Sequence, residues 1–243
     1  MLIKKHIPNI FTLLNLLSGT IAVIYAVNND LVTAAYLVFL GIFFDFFDGF
    51  FARLLDVQGE LGKQLDSLAD VVTSGLVPGI VLFQLFQAKN LIVVETTEIV
   101  TWESENFEFL PFFGLLVTLA AAYRLAKFNI DERQTSSFIG LPTPAAALVV
   151  LSLPLILEFS SIDVATTLIE NNWFLMVLTL LLCYLMNAEI PLFSLKFKDY
   201  SWKNNKVKFV FILVTLLLIV LFQFVAIPIV IVLYVLMSMF QNK

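Results

Sequence analysis

The stretch VKFVFILVTLLLIVLFQFVAIPIVIVLYVLMSMF, residues 207–240, carries no charged residue after Lys208. A run this apolar and this long cannot be the core of an ordinary small domain. In lipid, every backbone amide and carbonyl must be satisfied within the chain, which leaves α-helices or closed barrels. One membrane helix needs about 20 apolar residues. The run is too long for one span and short for two, and Gln223 with Pro228 marks a tight turn and a restart. We therefore read it as two helices, 206–222 and 224–241.

The rest of the chain follows the same pattern. Of its 243 residues 60% are hydrophobic and 14% charged, with a mean hydropathy of +0.96. A soluble domain is about 45–50% apolar and about 25% charged. Six more apolar stretches precede the final pair, near 8–28, 32–54, 67–88, 109–129, 141–158 and 172–190. The expected fold is thus an all-α integral membrane protein of about eight transmembrane helices. The N-terminus, with Lys4 and Lys5 before an apolar run, is read as the first of these helices rather than as a cleaved signal.

Lysine and arginine set the orientation. With the N-terminus cytoplasmic, Lys4, Lys5, Arg53, Lys63, Arg124, Lys127, Arg133, Lys196, Lys198, Lys203, Lys206 and Lys208 fall on the cytoplasmic side. Lys89 alone falls outside, beside the acidic residues Glu95, Glu98, Glu103, Glu105 and Glu108, with Asp163 and Glu170 in a later outer loop. Lys243 is then inside if the number of helices is even. Both termini are expected to be cytoplasmic. The net charge of −5 argues against a nucleic-acid partner. Cys183 is the single cysteine, so no disulfide forms within the chain, and the lone His6 is not a metal centre.

Against this background DFFDGFFARLLDVQGELGKQLDSLAD, residues 45–70, is unexpected. Asp45 and Asp48 lie near the cytoplasmic end of the second helix, one turn apart. Asp66 and Asp70 lie at the cytoplasmic start of the third, spaced i, i+4 on one face. Carboxylates at membrane depth are expensive and mark function by default. Four that converge repel one another, and Arg53 alone cannot neutralise them. Divalent cations can, and an oxygen-only donor set suits Mg²⁺ or Mn²⁺ better than zinc. Two such ions would clamp a phosphate undergoing displacement. Gly49 and Ala52 leave space beside the carboxylates, Gly59 and Gly62 let the turn bend, and a helix start at Leu65 or Asp66 would point amides at an anion.

The pattern D-x2-D-G-x2-A-R-x8-G-x3-D-x3-D, filled here by Asp45, Asp48, Gly49, Ala52, Arg53, Gly62, Asp66 and Asp70, resembles the signature of the CDP-alcohol phosphatidyltransferases. IPNIFTLLNLLSG, QLDSLADVVTSGLVPG, YRLAKFNI, FIGLPTPAAA and LLCYLMNAEIPLFSLKFK look like the bacterial and archaeal-type phosphatidylserine-forming branch. The resemblance covers nearly the whole chain apart from 89–108 and 159–171. It implies one membrane-embedded domain over 1–243, with a core of 1–200 and an additional helix pair at 206–241. It also implies transfer of a phosphatidyl group from CDP-diacylglycerol to L-serine, releasing CMP, in a homodimer in the cell (inner) membrane with its site facing the cytoplasm.

Carried over residue by residue, Asp45, Asp48 and Asp66 are metal ligands, and Asp70 is both ligand and general base. Asn9, Thr12, Gly49, Ala52, Arg53, Gly59 and Gly62 lie at the CDP-diacylglycerol site. Arg124, Lys127 and Asn129, at the cytoplasmic end of helix four, are the candidates for serine, Arg124 gripping its carboxylate. Three positions depart from the family: Gly59 stands where many relatives have a hydroxyl residue, Lys127 where arginine is usual, and Glu189 where a basic residue is common. An acceptor such as glycerol 3-phosphate or inositol phosphate is the near alternative, although basic residues near Asp70 are few. An ion-coupled transporter is the alternative of another class; broken helices and inverted repeats would mark it. Gly75 and Gly79, spaced GxxxG, are read as close-packing positions. Pro142 and Pro144 are read as helix-initiating.

Overall fold

A computed structural model describes residues 2–88, 109–131, 138–193 and 202–241, with the side chains of 2–5, 138, 202–204, 240 and 241 left aside. The acidic loop 89–108, Arg133, Lys196, Lys198 and Lys243 lie outside the described residues, as do the side chains of Lys4, Lys5 and Lys203.

Helix α1 (Leu2–Val27) turns back into α2 (Leu31–Leu54) through Asn28, Asn29 and Asp30. Asn29 takes a left-handed backbone, φ 63°. The Asp30 carboxylate then caps α2 by accepting from the Thr33 amide at 3.0 Å, which satisfies one of the helix's orphan donors. Along the α1–α2 seam the buried residues are small: Ala22, Ala26, Ala34 and Ala35. Small side chains let membrane helices approach closely.

Asp56, also left-handed at φ 51°, ends α2, and the chain re-enters helix at once. Three segments follow as one continuous rod: α3 (Glu60–Asp70), a π-helical stretch (Val71–Leu76) and α4 (Val77–Gln87). The widened turn frees backbone carbonyls. Gly75 O, within this stretch, accepts from Thr118 Oγ1 of the neighbouring helix at 3.0 Å.

That neighbour enters as a 3-10 turn (Leu110–Leu115) and continues as α5 (Leu116–Ile130). A methyl on Gly79 would overlap the Thr118 hydroxyl, and one on Gly75 would lie 3.3 Å from Ala121 Cβ. The close-packing reading of that glycine pair therefore holds.

Strand β1 (Phe138–Ile139) leads into α6 (Thr143–Phe159), which opens at Pro142 and Pro144 as expected. Apolar all round, α6 is buried over most of its length and packs against α2, α4 and α10. The short α7 (Asp163–Ile169) and α8 (Asn172–Asn187) follow, bent by 77° at the break between them. Strand β2 (Pro191–Leu192) pairs antiparallel with β1, Phe138 opposite Leu192 and Ile139 opposite Pro191.

The long apolar run forms α9 (Trp202–Phe222) and α10 (Ala226–Gln241), joined by a 3-10 turn at Gln223–Val225. Gln223 is left-handed, φ 48°. The Phe211 and Tyr234 rings lie 5.8 Å apart, whereas an unbroken helix would hold them roughly 35 Å apart at its 1.5 Å rise per residue. The run thus folds back as a hairpin at Gln223.

Among the described residues five helical stretches are long and apolar enough to cross a membrane, or six with the bent α7–α8 pair. Eight were expected. The difference arises from α6, which is apolar but only 17 residues long, and from the hairpin, whose limbs together make a single apolar stretch, Asn205–Met239. The protein is an all-helical, membrane-embedded protein whose α9 presents Leu213, Leu216 and Val220 outward.

Candidate active site

Helix α2 delivers Asp45 and Asp48, and α3 delivers Asp66 and Asp70. Both helices pack on α1, so the carboxylates converge against its side. One oxygen each from Asp45, Asp48 and Asp66 lies within 4.8 Å of the others. Asp66 Oδ1 is buried without a hydrogen-bond partner. Buried polar atoms normally have partners, and an unpartnered carboxylate oxygen in an all-oxygen cluster fits a hard divalent cation.

Asp70 stands outside this triad. It is buried, accepts from Asn15 Nδ2 at 3.4 Å and interacts electrostatically with Arg124 on α5. Asp70 thus lies between the triad, whose Asp66 and Asp48 charges also act on it, and Arg124.

A cavity of about 590 Å³ opens beside the triad. Asn9, Thr12, Gly49, Ala52, Arg53, Gly59 and Gly62 all line it, together with Asp48 and Asp66. Its size falls within the usual range for small-molecule sites, about 300–1,000 Å³. The Thr12 hydroxyl donates to Asp48 Oδ2 at 2.7 Å. A methyl on Gly49 would sit 3.3 Å from Arg53 Nη1, so the missing side chain gives the guanidinium its room. Gly59 is extended, φ −164°, with open space around it.

The helix after Gly59 begins at Glu60, not at Leu65 or Asp66. The segment ELGKQLDSLAD carries apolar residues at helical spacing from its first turn, and the Lys63 amide already bonds to Gly59 O at 3.1 Å. The free amides of α3 consequently lie at Gly59–Gly62, on the cavity wall, and Asp66 lies further along the helix.

Arg124 and Lys127 line a second space with Ile139, Met186, Asn187 and Ala188. It holds only about 10 Å³, roughly one water. Arg124 is buried, its Nε without a partner, and its guanidinium lies 5.8 Å from the Phe128 ring centre. Lys127 Nζ pairs with Glu189 at 3.7 Å. Asn129 is directed elsewhere. Its side-chain amide donates to Ser67 Oγ at 2.8 Å, and its carbonyl accepts from Lys63 Nζ at 2.6 Å. It ties α5 to α3 rather than joining Arg124.

Sequence reading missed Lys63 and Phe128 in the large cavity and Asn187 in the small one. It also missed Asn15, which sits one turn beyond Thr12 on the face of α1 that carries Asn9 and Thr12; helical periodicity was the available signal.

Comparison with known proteins points to one family. The family model described as CDP-alcohol phosphatidyltransferase matches residues 5–185, ending before the α9–α10 hairpin. A CDP-diacylglycerol–serine O-phosphatidyltransferase of Bacillus subtilis is 33% identical over 154 residues, 61% of this chain and 76% of that protein. An archaetidylserine synthase of Methanothermobacter thermautotrophicus is 29% identical over 67% of this chain and 64% of its own length. A CDP-diacylglycerol–serine O-phosphatidyltransferase of Helicobacter pylori is 32% identical over 59% of this chain and 55% of its own length.

Proposed function

This chain belongs to the CDP-alcohol phosphatidyltransferase family, and from that premise we propose that it transfers the phosphatidyl group of CDP-diacylglycerol to L-serine, giving phosphatidylserine and CMP. The observation that carries this reading is the sharing of Asp48 and Asp66 between the carboxylate triad and the nucleotide-sized cavity. A site that holds cations against one wall of such a cavity suits a diphosphate. The names of the similar bacterial and archaeal enzymes supply the alcohol.

Asp45, Asp48 and Asp66 would hold Mg²⁺ or Mn²⁺, two ions in our reading, with Asp70 at the edge of the group. Bound there, divalent cations would neutralise the diphosphate and make CMP a better leaving group. Thr12 orients Asp48, Arg53 faces the phosphates from the space left by Gly49, and the amides at Gly59–Gly62 add donors for the anion. Asp70 accepts the proton of the serine hydroxyl as that oxygen bonds to the lipid-side phosphorus. The bond from phosphorus to the CMP oxygen breaks, and CMP leaves with the electron pair. Among the described residues no cysteine, serine or histidine lines the cavity, and we read the reaction as a single displacement with inversion at phosphorus.

Arg124 would receive the serine carboxylate. Serine exceeds the space of about 10 Å³ now beside Arg124, so its binding there requires the wall to open. The charge inventory there, Arg124 and Lys127 against Glu189 and Asp70, suits a zwitterion better than a dianionic phosphate acceptor.

We also propose eight membrane crossings with both termini and the site on the cytoplasmic side of the cell membrane. The α9–α10 fold-back and the lysine–arginine distribution support this. The unit of function is proposed to be a homodimer, on the family resemblance, and cross-linking of the intact membrane checks it.

The decisive assay offers purified enzyme CDP-diacylglycerol with serine, glycerol 3-phosphate or inositol phosphate, with and without Mg²⁺ or Mn²⁺. CMP release is expected with serine and a divalent cation. Release only with a phosphorylated acceptor would reassign the alcohol, and none under any combination would refute the reading.

A further inference from the structure

The group that holds Asp70 comes from α1, where neither the signature nor the triad points. Asn15 is fully buried, at 0% exposure. Its Nδ2 donates to Asp70 Oδ1 at 3.4 Å, while its own Oδ1 has no partner. A half-satisfied buried amide is destabilising, so packing alone gives no reason for it. What the residue contributes is a donor aimed at Asp70.

Asn15 is itself fixed. Its backbone carbonyl accepts from Thr73 Oγ1 at 3.3 Å, and Thr73 is likewise wholly buried. The Thr73 side chain wedges into a gap where α1 and α2 both lack a side chain. A methyl on Gly19 would overlap the Thr73 hydroxyl; one on Gly41 would lie 2.7 Å from Thr73 Cγ2 and 2.9 Å from Asn15 Oδ1. Three elements thus meet within contact distance around one amide.

Their meeting point is also where the helix changes pitch. Asp70 is the last residue of α3, and the π-helical stretch starts at Val71. Thr73 lies within that stretch, so the wedge fixes the phase of the rod next to Asp70. π-Turns of this kind recur at functional sites.

We infer that Asn15 is a positioning residue for Asp70: its amide occupies Oδ1 and leaves Oδ2 to receive the acceptor's proton, with Thr73 lodged against Gly19 and Gly41 holding Asn15 in place. The inference rests on the proposed role of Asp70 as base. Asn15 donates to Asp70 and is not among the residues that line the large cavity, so its loss should affect turnover and spare binding. A misplacement of about 1 Å at a reacting group lowers rate by about 100-fold.

The test uses the full-length enzyme in detergent micelles. Asn15→Leu keeps the branched outline and removes the donor. It should lower kcat about 10- to 100-fold, while KM for CDP-diacylglycerol and the affinity for CDP, measured by calorimetry, stay within about twofold. A purely structural role would weaken CDP binding along with turnover, and either that result or a wild-type kcat overturns the inference. Should Asn15→Leu fail to fold, Thr73→Val decides, since it keeps the wedge and removes only the hydroxyl. A several-fold loss of kcat at unchanged CDP affinity supports the proposal, and wild-type kcat refutes it. Asp70→Asn separates the two levels. If it retains activity, the base assignment fails and the inference with it. If it is inactive while the Asn15 and Thr73 variants are normal, the inference alone fails.

Discussion

The Thr12 hydroxyl and Asp48 are joined by a 2.7 Å hydrogen bond between α1 and α2, at the point where the triad meets the large cavity. Such a bond fixes which Asp48 oxygen faces inward. Groups that orient metal ligands typically contribute about 10- to 100-fold to metal affinity or activity. Thr12→Val should therefore raise the Mg²⁺ or Mn²⁺ concentration for half-maximal activity by about 10-fold, and Thr12→Ser should restore it. A metal titration of CMP release checks both.

Asp45, Asp48 and Asp66 crowd three carboxylates within 4.8 Å of one another, and Arg53, which acts on Asp48, supplies a single charge against them. Crowding of this kind serves function at the expense of stability. Asp66→Asn should abolish activity, by more than about 100-fold on the scale of lost electrostatic stabilisation. In excess chelator the same variant should melt at a higher temperature than wild type, and Mn²⁺ should no longer raise its melting point. A variant that melts lower in chelator and still responds to Mn²⁺ would show that Asp66 is a structural residue.

Gly49 and Gly59 line the same cavity and should respond differently to substitution. A methyl at Gly49 meets Arg53 Nη1 at 3.3 Å, whereas Gly59 has nothing within 4 Å and an extended backbone that any residue adopts. Gly49→Ala should shift the guanidinium and raise KM for CDP-diacylglycerol by about 10-fold, the size of one weakened charge-assisted hydrogen bond. Gly59→Ser should be tolerated, with KM unchanged or lower, because its hydroxyl would point into free space at the phosphate end. Steady-state kinetics on the two variants in parallel checks the contrast.

Much of this was legible in the sequence because charge in an apolar chain is conspicuous. The spacing of Asp45, Asp48, Asp66 and Asp70 located the carboxylates, and Gln223 located the fold-back of the hairpin. Periodicity could not show that Asp70 meets Asn15, since that depends on how α1 packs against α3. Nor does any residue type in VVTSGL signal the π-turn at Val71–Leu76; small residues permit it without dictating it. Asn129 was placed with Arg124 because the two sit on one helix end, but Lys63 and Ser67, from a different helix, capture it. Contacts between elements were the missing information in each case.

Tyr234 on α10 shows how the hairpin beyond the family match reaches the space beside Arg124. Its hydroxyl donates to Phe193 O at 2.9 Å, and Ser238 Oγ accepts from the Phe193 amide at 3.4 Å. Phe193 directly follows β2, β2 pairs with β1, and Ile139 of β1 lines the space beside Arg124. The hairpin therefore clamps both backbone groups of the residue that fixes this two-stranded wall. Tyr234→Phe removes one hydrogen bond, about 1 kcal/mol, and keeps the ring packed on Phe193 and Phe211. If the clamp shapes the acceptor space, KM for serine should rise, by up to about fivefold for that energy, while KM for CDP-diacylglycerol stays level. Removal of residues 202–243 should raise it further. Equal changes in both KM values would mean that the hairpin only stabilises the fold.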